Sequence, residues 1–144
     1  MITISELKEG SAEVLTSINQ LLPQLSLNAQ GISMDRLLEL VESDNTIIFL
    51  GTDKDGQILG MLSLIVMKIP TGNKAWIEDV VVDSKARGQG LGKALMNHAL
   101  EEAKKLEVKS IDLTSRPTRE AANLLYQSLG YQKRETNVYR HKIS

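Results

Sequence analysis

One segment constrains this chain more than any other: WIEDVVVDSKARGQGLGKAL, from Trp76 to Leu95. Its first part, Trp76–Val82, is rich in β-branched residues and reads as a strand. The run then passes through Arg87-Gly88-Gln89-Gly90-Leu91-Gly92. Beyond it, Leu91, Leu95, Ala99, Ala103 and Leu106 recur every three or four residues, which predicts a helix. Glycine at alternate positions lets the backbone approach a ligand and leaves its N–H groups unobstructed. The helix N-terminus adds partial positive charge, so the turn reads as an anion site, most naturally for phosphates. Acidic residues usually favour the first turns of a helix, yet none is present here. Arg87 and Lys93 flank the turn instead, a choice that makes sense if a bound anion supplies the negative charge.

Spacing tests two phosphate-binding alternatives. A P-loop needs a glycine where Arg87 stands and a Ser or Thr where Ala94 stands. A dinucleotide fingerprint needs two residues between its second and third glycines, and only Leu91 separates Gly90 from Gly92. Both fail. The remaining alternative is a strand-to-helix turn with no ligand.

The flanking sequence supplies the rest of a mixed α/β fold. Met1–Ser5 is a short strand candidate. Ser11 can cap a helix carrying Val14, Leu15, Ile18, Leu21 and Leu22 on one face and ending near Pro23. Ser33 or Asp35 can start a second helix. Thr46–Thr52 and Gln57–Lys68 read as strands joined at Asp55-Gly56, a hairpin signal. With Trp76–Val82 they predict an antiparallel meander. After the glycine turn come a strand at Ser110–Thr114 and a helix from Thr118 to Leu129, stopped by Gly130. Tyr131–Glu135 and Val138–Ile143 alternate weakly and are read as a closing pair of strands. The predicted order is β-α-α-β-β-β-α-β-α-β-β.

Composition narrows the chemistry. At 144 residues the chain reads as a single domain, 1–144. It has no cysteine, which excludes thiol nucleophiles, disulfides and thiolate zinc sites and fits a cytoplasmic setting. With only His98 and His141 as histidines, no metal site is expected. A net charge of −1 gives no reason to expect nucleic acid or a membrane surface as partner. The longest apolar run falls far below a membrane span.

On these residues the chain resembles the GNAT superfamily of N-acetyltransferases. Arg87-x-x-Gly90-x-Gly92, preceded by WIEDVVVD, looks like the acetyl-CoA pyrophosphate motif of that superfamily. Leu125-Tyr126-Gln127-Ser128-Leu129-Gly130-Tyr131 resembles its second landmark, and the order of elements matches over nearly the whole chain. The resemblance implies a mostly antiparallel twisted sheet of about six or seven strands with about four helices. It implies transfer of an acetyl group from acetyl-CoA to a primary amine by direct attack in a ternary complex. The acceptor would be a small molecule or a protein amine, and a homodimer is compatible with it.

Residue roles follow from the same resemblance. Backbone N–H groups from Arg87, Gly88, Gln89, Gly90, Leu91, Gly92 and Lys93 would hold the cofactor phosphates. Val80, Val81 and Val82 would pair with its pantetheine arm through a splay in the sheet. Glu78 is the candidate base through a water, with an apolar setting that would raise its pKa; Asp79 is the alternative. Adjacent strand residues point to opposite faces unless a bulge intervenes. Tyr126 matches the usual general acid. Arg119 stands where an asparagine often contacts the cofactor, so Asn123, one turn before Tyr126, is the substitute candidate. Arg116 and Arg119 read either as anion contacts or as a solvated turn. His98 is expected on the outer helix face without a role, and His141 in the last strand as a structural residue. The competing function is a non-catalytic acyl-CoA-binding regulatory or interaction module on the same fold.

Overall fold

The computed structural model describes residues 1–144, which form two compact units, Met1–Leu113 and Thr114–Ser144. In the first unit the order is β1 (Thr3–Glu6), α1 (Ala12–Leu25), α2 (Met34–Glu42), β2 (Thr46–Thr52), β3 (Ile58–Ile69), β4 (Gly72–Val82), α3 (Leu91–Lys105) and β5 (Ile111–Asp112). The capping signals work as expected: Ser11 Oγ accepts from the Val14 N–H at 3.1 Å, and Ser33 Oγ from the Arg36 N–H at 3.1 Å. The helix α1 continues past Pro23 to Leu25, because a proline in the last turn removes only one intrahelical donor. The β2–β3 connection is pinned by Asp53, whose Oδ1 accepts from the N–H groups of Asp55 and Gln57, with Gly56 at φ 80°.

The sheet order is β1-β2-β3-β4-β5. All pairings are antiparallel except β4 with β5, which is parallel. On one face Ile18 and Leu21 of α1 and Leu37 of α2 pack with Ile48, Leu50, Met61 and Val81. On the opposite face α3 buries Leu91, Leu95, Met96, Ala99 and Ala103. It lies close to the strands, since a Cβ built at Gly51 would overlap Leu91 Cδ1. His98 is not on an outer face as expected: its ring meets Phe49 edge-on with centroids 4.9 Å apart, so the i−3/i−4 stripe of α3 carries it onto the sheet.

In the second unit, α4 spans Glu120–Ser128. It starts two residues after the expected Thr118, with Arg119 as its N-cap, and no side chain caps it. The C-terminal stop matches expectation closely. Gly130 has φ 95°; its N–H donates to the Gln127 carbonyl, and the Tyr131 N–H donates to the Tyr126 carbonyl at 3.0 Å. These two bonds form a Schellman motif, and the rings of Tyr126 and Tyr131 supply its hydrophobic contact at 6.3 Å.

The sheet has five strands, not six or seven. The strand expected at Ser110–Thr114 is only Ile111–Asp112. The two closing strands do not form, and His141 lies in no strand. Their alternation supplies few apolar side chains: Tyr131 packs on Tyr126 of α4, and Val138, Tyr139 and Ile143 are in water, 71%, 87% and 90% exposed. A strand with neither a paired edge nor a buried face has nothing to offset its ordering entropy. No helix is long and apolar enough to cross a membrane.

Candidate active site

The site in the first unit begins with a fork in the sheet. β5 pairs with β4 only at Ala75 and Trp76, where the Ala75 N–H donates to the Ser110 carbonyl at 2.9 Å. From Ile77 to Val82, β4 has β3 on one side and no strand on the other. Such an edge is a row of backbone donors and acceptors ready to pair with an extended ligand.

A bulge decides which groups face that edge. The register steps from Ser63↔Glu78 to Met61↔Val81, so β4 carries one extra residue. Asp79 sits in it at φ 51°, in the left-handed region. Past the bulge, the Asp83 N–H donates to the Leu59 carbonyl on β3 at 2.8 Å. Backbone groups alternate along a strand, so Val81 also faces β3, while Val80 and Val82 present their N–H and C=O groups to the open edge. The Val81 side chain belongs to the core under α1 and α2. Of the three valines named from the sequence, then, two offer main-chain groups and one is structural.

The glycine turn follows directly. Asp83, buried, closes β4: its Oδ1 accepts from the Lys85 N–H at 3.0 Å, and its carbonyl accepts from Ala86. Gln24 of α1 fixes the next residue, its Oε1 accepting from the Ser84 N–H at 2.8 Å. Neither residue stood out in the sequence, although an Asp just after a strand and before Ser-Lys-Ala is a recognisable turn signal. Gly88 and Gly90 both hold φ 80°, and Gly90 is the N-cap of α3. A Cβ at either would meet nothing within 4 Å, so the space over the turn is open. The first intrahelical bond is Ala94 N–H to the Gly90 carbonyl. The N–H groups of Leu91, Gly92 and Lys93 therefore have no partner in the helix. The Leu91 side chain is buried as an anchor, so only its backbone is available. Gln89, Lys85, Arg87 and Lys93 are exposed, and none of these three cations forms an ion pair.

Glu78 does not have the apolar setting expected of it. It is exposed, on the sheet face covered by α1 and α2, and its Oε1 accepts from the Trp76 indole N–H at 2.7 Å. Asp79 is exposed by area, yet partial burial of its carboxyl, first, and the neighbouring Glu78 charge, second, hold its pKa above the usual carboxylate range.

In the second unit Tyr126 is 7% exposed. Burial, and then the nearby Tyr126 hydroxyl, push the Tyr131 phenol up, and the Tyr131 hydroxyl has no hydrogen-bond partner. Asn123 spends one amide hydrogen on the Arg116 carbonyl at 3.0 Å, closing the turn before α4; Arg116 and Arg119 are exposed.

A strand edge left open by a fork and a bulge, leading into an uncapped glycine turn, is the arrangement that the motifs of the sequence imply. The family model for the acetyltransferase (GNAT) family matches residues 16–131. The chain belongs to the GNAT family. The [ribosomal protein bS18]-alanine N-acetyltransferase of Escherichia coli K12 is 36% identical over 61 residues, which are 42% of this chain and 41% of that protein. The chain thus matches less than half the length of this curated relative. Among solved structures, an acetyltransferase of Trypanosoma brucei superposes with a TM-score of 0.80 at 25% identity, covering 99% of this chain and 100% of that one. An aminoglycoside acetyltransferase from an uncultured soil metagenomic sample gives 0.86 at 19% identity, over 99% and 96%, and so shows the GNAT fold alone. No group of three or more His, Cys, Asp or Glu residues is placed to hold a metal.

Proposed function

We propose that this GNAT chain, acting as one domain in the cytoplasm, transfers the acetyl group of acetyl-CoA to a primary amine by direct attack in a ternary complex. The observation that carries this reading is the continuous path from the open edge of β4 to the uncapped start of α3. The N–H groups of Gly88 to Lys93, with Arg87 alongside, hold the pyrophosphate. Val80 and Val82 pair with the pantetheine arm, and an N–H of this edge polarises the thioester carbonyl. Asn123 keeps its carbonyl oxygen for a cofactor contact.

Glu78 takes a proton from the incoming ammonium, directly or through a water, which frees the amine lone pair. The amine forms the new N–C bond as the C–S bond breaks. Tyr126 gives its proton to the departing thiolate, the acetylated nitrogen passes its remaining extra proton through water to the Tyr126 phenolate, and Glu78 releases its proton to solvent. With no cysteine in the chain, an acetyl-thiol enzyme intermediate is impossible.

The test is release of free CoA thiol from acetyl-CoA with a panel of acceptors: a peptide with an N-terminal alanine, a lysine-side-chain peptide and small primary amines. Turnover with at least one is expected, and Tyr126→Phe lowers kcat by about 10²–10⁴-fold. Binding of acetyl-CoA with no acetylation of any acceptor would favour the non-catalytic binding module.

A further inference from the structure

Trp76 is the only tryptophan in the chain, and it stands at the fork. It is the last β4 residue paired to β5, opposite Asp112, and on its other side it pairs with Ile65 of β3. The strand is therefore flanked on both sides at this register. Glu78 is two residues on, so both side chains project from the same sheet face. Glu78 itself has β3 on one side only, and the strained bulge residue Asp79 follows it. A carboxylate at such a place is exposed and has rotamer freedom. One contact limits that freedom, the 2.7 Å hydrogen bond from the Trp76 indole N–H to Oε1. This is the short, charge-assisted kind, and indole N–H is a donor only.

We propose that Trp76 is a positioning residue: anchored at the last paired register of the fork, its indole N–H holds one Glu78 oxygen and aims the other at the acceptor amine. This deepens the reading of Glu78 as base and rests on it. Oε1 has its donor; Oε2 is left to take the proton. The charged neighbour on the same strand is Asp79.

A lone tryptophan gives a single indole N–H resonance. In the wild-type chain that resonance should lie downfield, and Glu78→Gln should move it, whereas Asp79→Asn should leave it nearly in place. The kinetic test is a double-mutant cycle on kcat, using the fastest acceptor of the panel above. Trp76→Phe keeps an aromatic ring and lacks the N–H. It should lower kcat about tenfold with KM for acetyl-CoA unchanged, and should have no further effect in the Glu78→Gln background. Replacing Trp76 by β-(3-benzothienyl)alanine, which keeps the indole shape without the N–H, guards against a folding defect and should match Trp76→Phe. The positioning role is overturned by an equal loss from Trp76→Phe in both backgrounds, by wild-type kcat in the benzothienyl variant, or by an indole resonance indifferent to Glu78→Gln. Wild-type kcat in Glu78→Gln would instead remove Glu78 as base, and the role of Trp76 with it.

Discussion

Asp79 carries the clearest local conflict in the chain. A non-glycine residue at φ 51° is uncommon, and aspartate is among the few that tolerate it. Its carboxyl also has a raised pKa, from burial and from Glu78. The folded state therefore holds the proton more tightly than the unfolded chain does. Stability from this group is present below its ordinary value of 3.8 and is lost as pH rises through the folded value. Asp79→Asn keeps a side chain suited to positive φ and removes the charge. Thermal melts should show the variant more stable than wild type at pH 7, with the difference shrinking as pH falls below 3.8. A constant difference across that range would mean that the charge is not responsible. The adjacency of Glu78 and Asp79 was legible in sequence, and so was the possibility of a bulge. The bulge itself was not, because it arises from how β4 registers against β3. The indole contact was legible in principle from the two-residue spacing of Trp76 and Glu78.

The elements divide by how local their causes are. Caps, turns and periodicity placed α1, α2, β2, β3, β4 and α3 to within a few residues, and the Gly130 stop was read correctly, since each signal acts within one or two turns of chain. The failures lie where pairing with a distant edge decides: β5 is short, and the two closing strands are absent. The glycine turn is the element whose function most depends on its own backbone. Gly90→Val puts a β-branched residue at φ 80° and fills the open space over the turn. Calorimetric titration with CoA should show affinity lowered at least about tenfold. Denaturant unfolding should show a separate cost of about 1–2 kcal/mol from the left-handed conformation. If affinity survives while that stability is lost, the turn is only a connection.

For the molecule as a whole, ligand linkage gives the plainest check. A ligand that binds only the folded state at a hundred times its Kd stabilises it by about 2.7 kcal/mol. Acetyl-CoA at that excess should raise Tm by several degrees in the wild-type chain and by much less in Gly90→Val; equal shifts would place the binding elsewhere. The net charge of −1 hides the local basic set of Lys85, Arg87 and Lys93 beside the turn, so raising the salt concentration should reduce the stabilisation. By itself the sequence determined the family, the glycine turn and the absence of thiol chemistry, because these depend on residue identity and short spacing. Only the tertiary structure decided which valines offer their backbone to the open edge, where Glu78 points and which strands exist. Those outcomes turn on register between segments far apart in sequence, and one extra residue in β4 reverses every group beyond it.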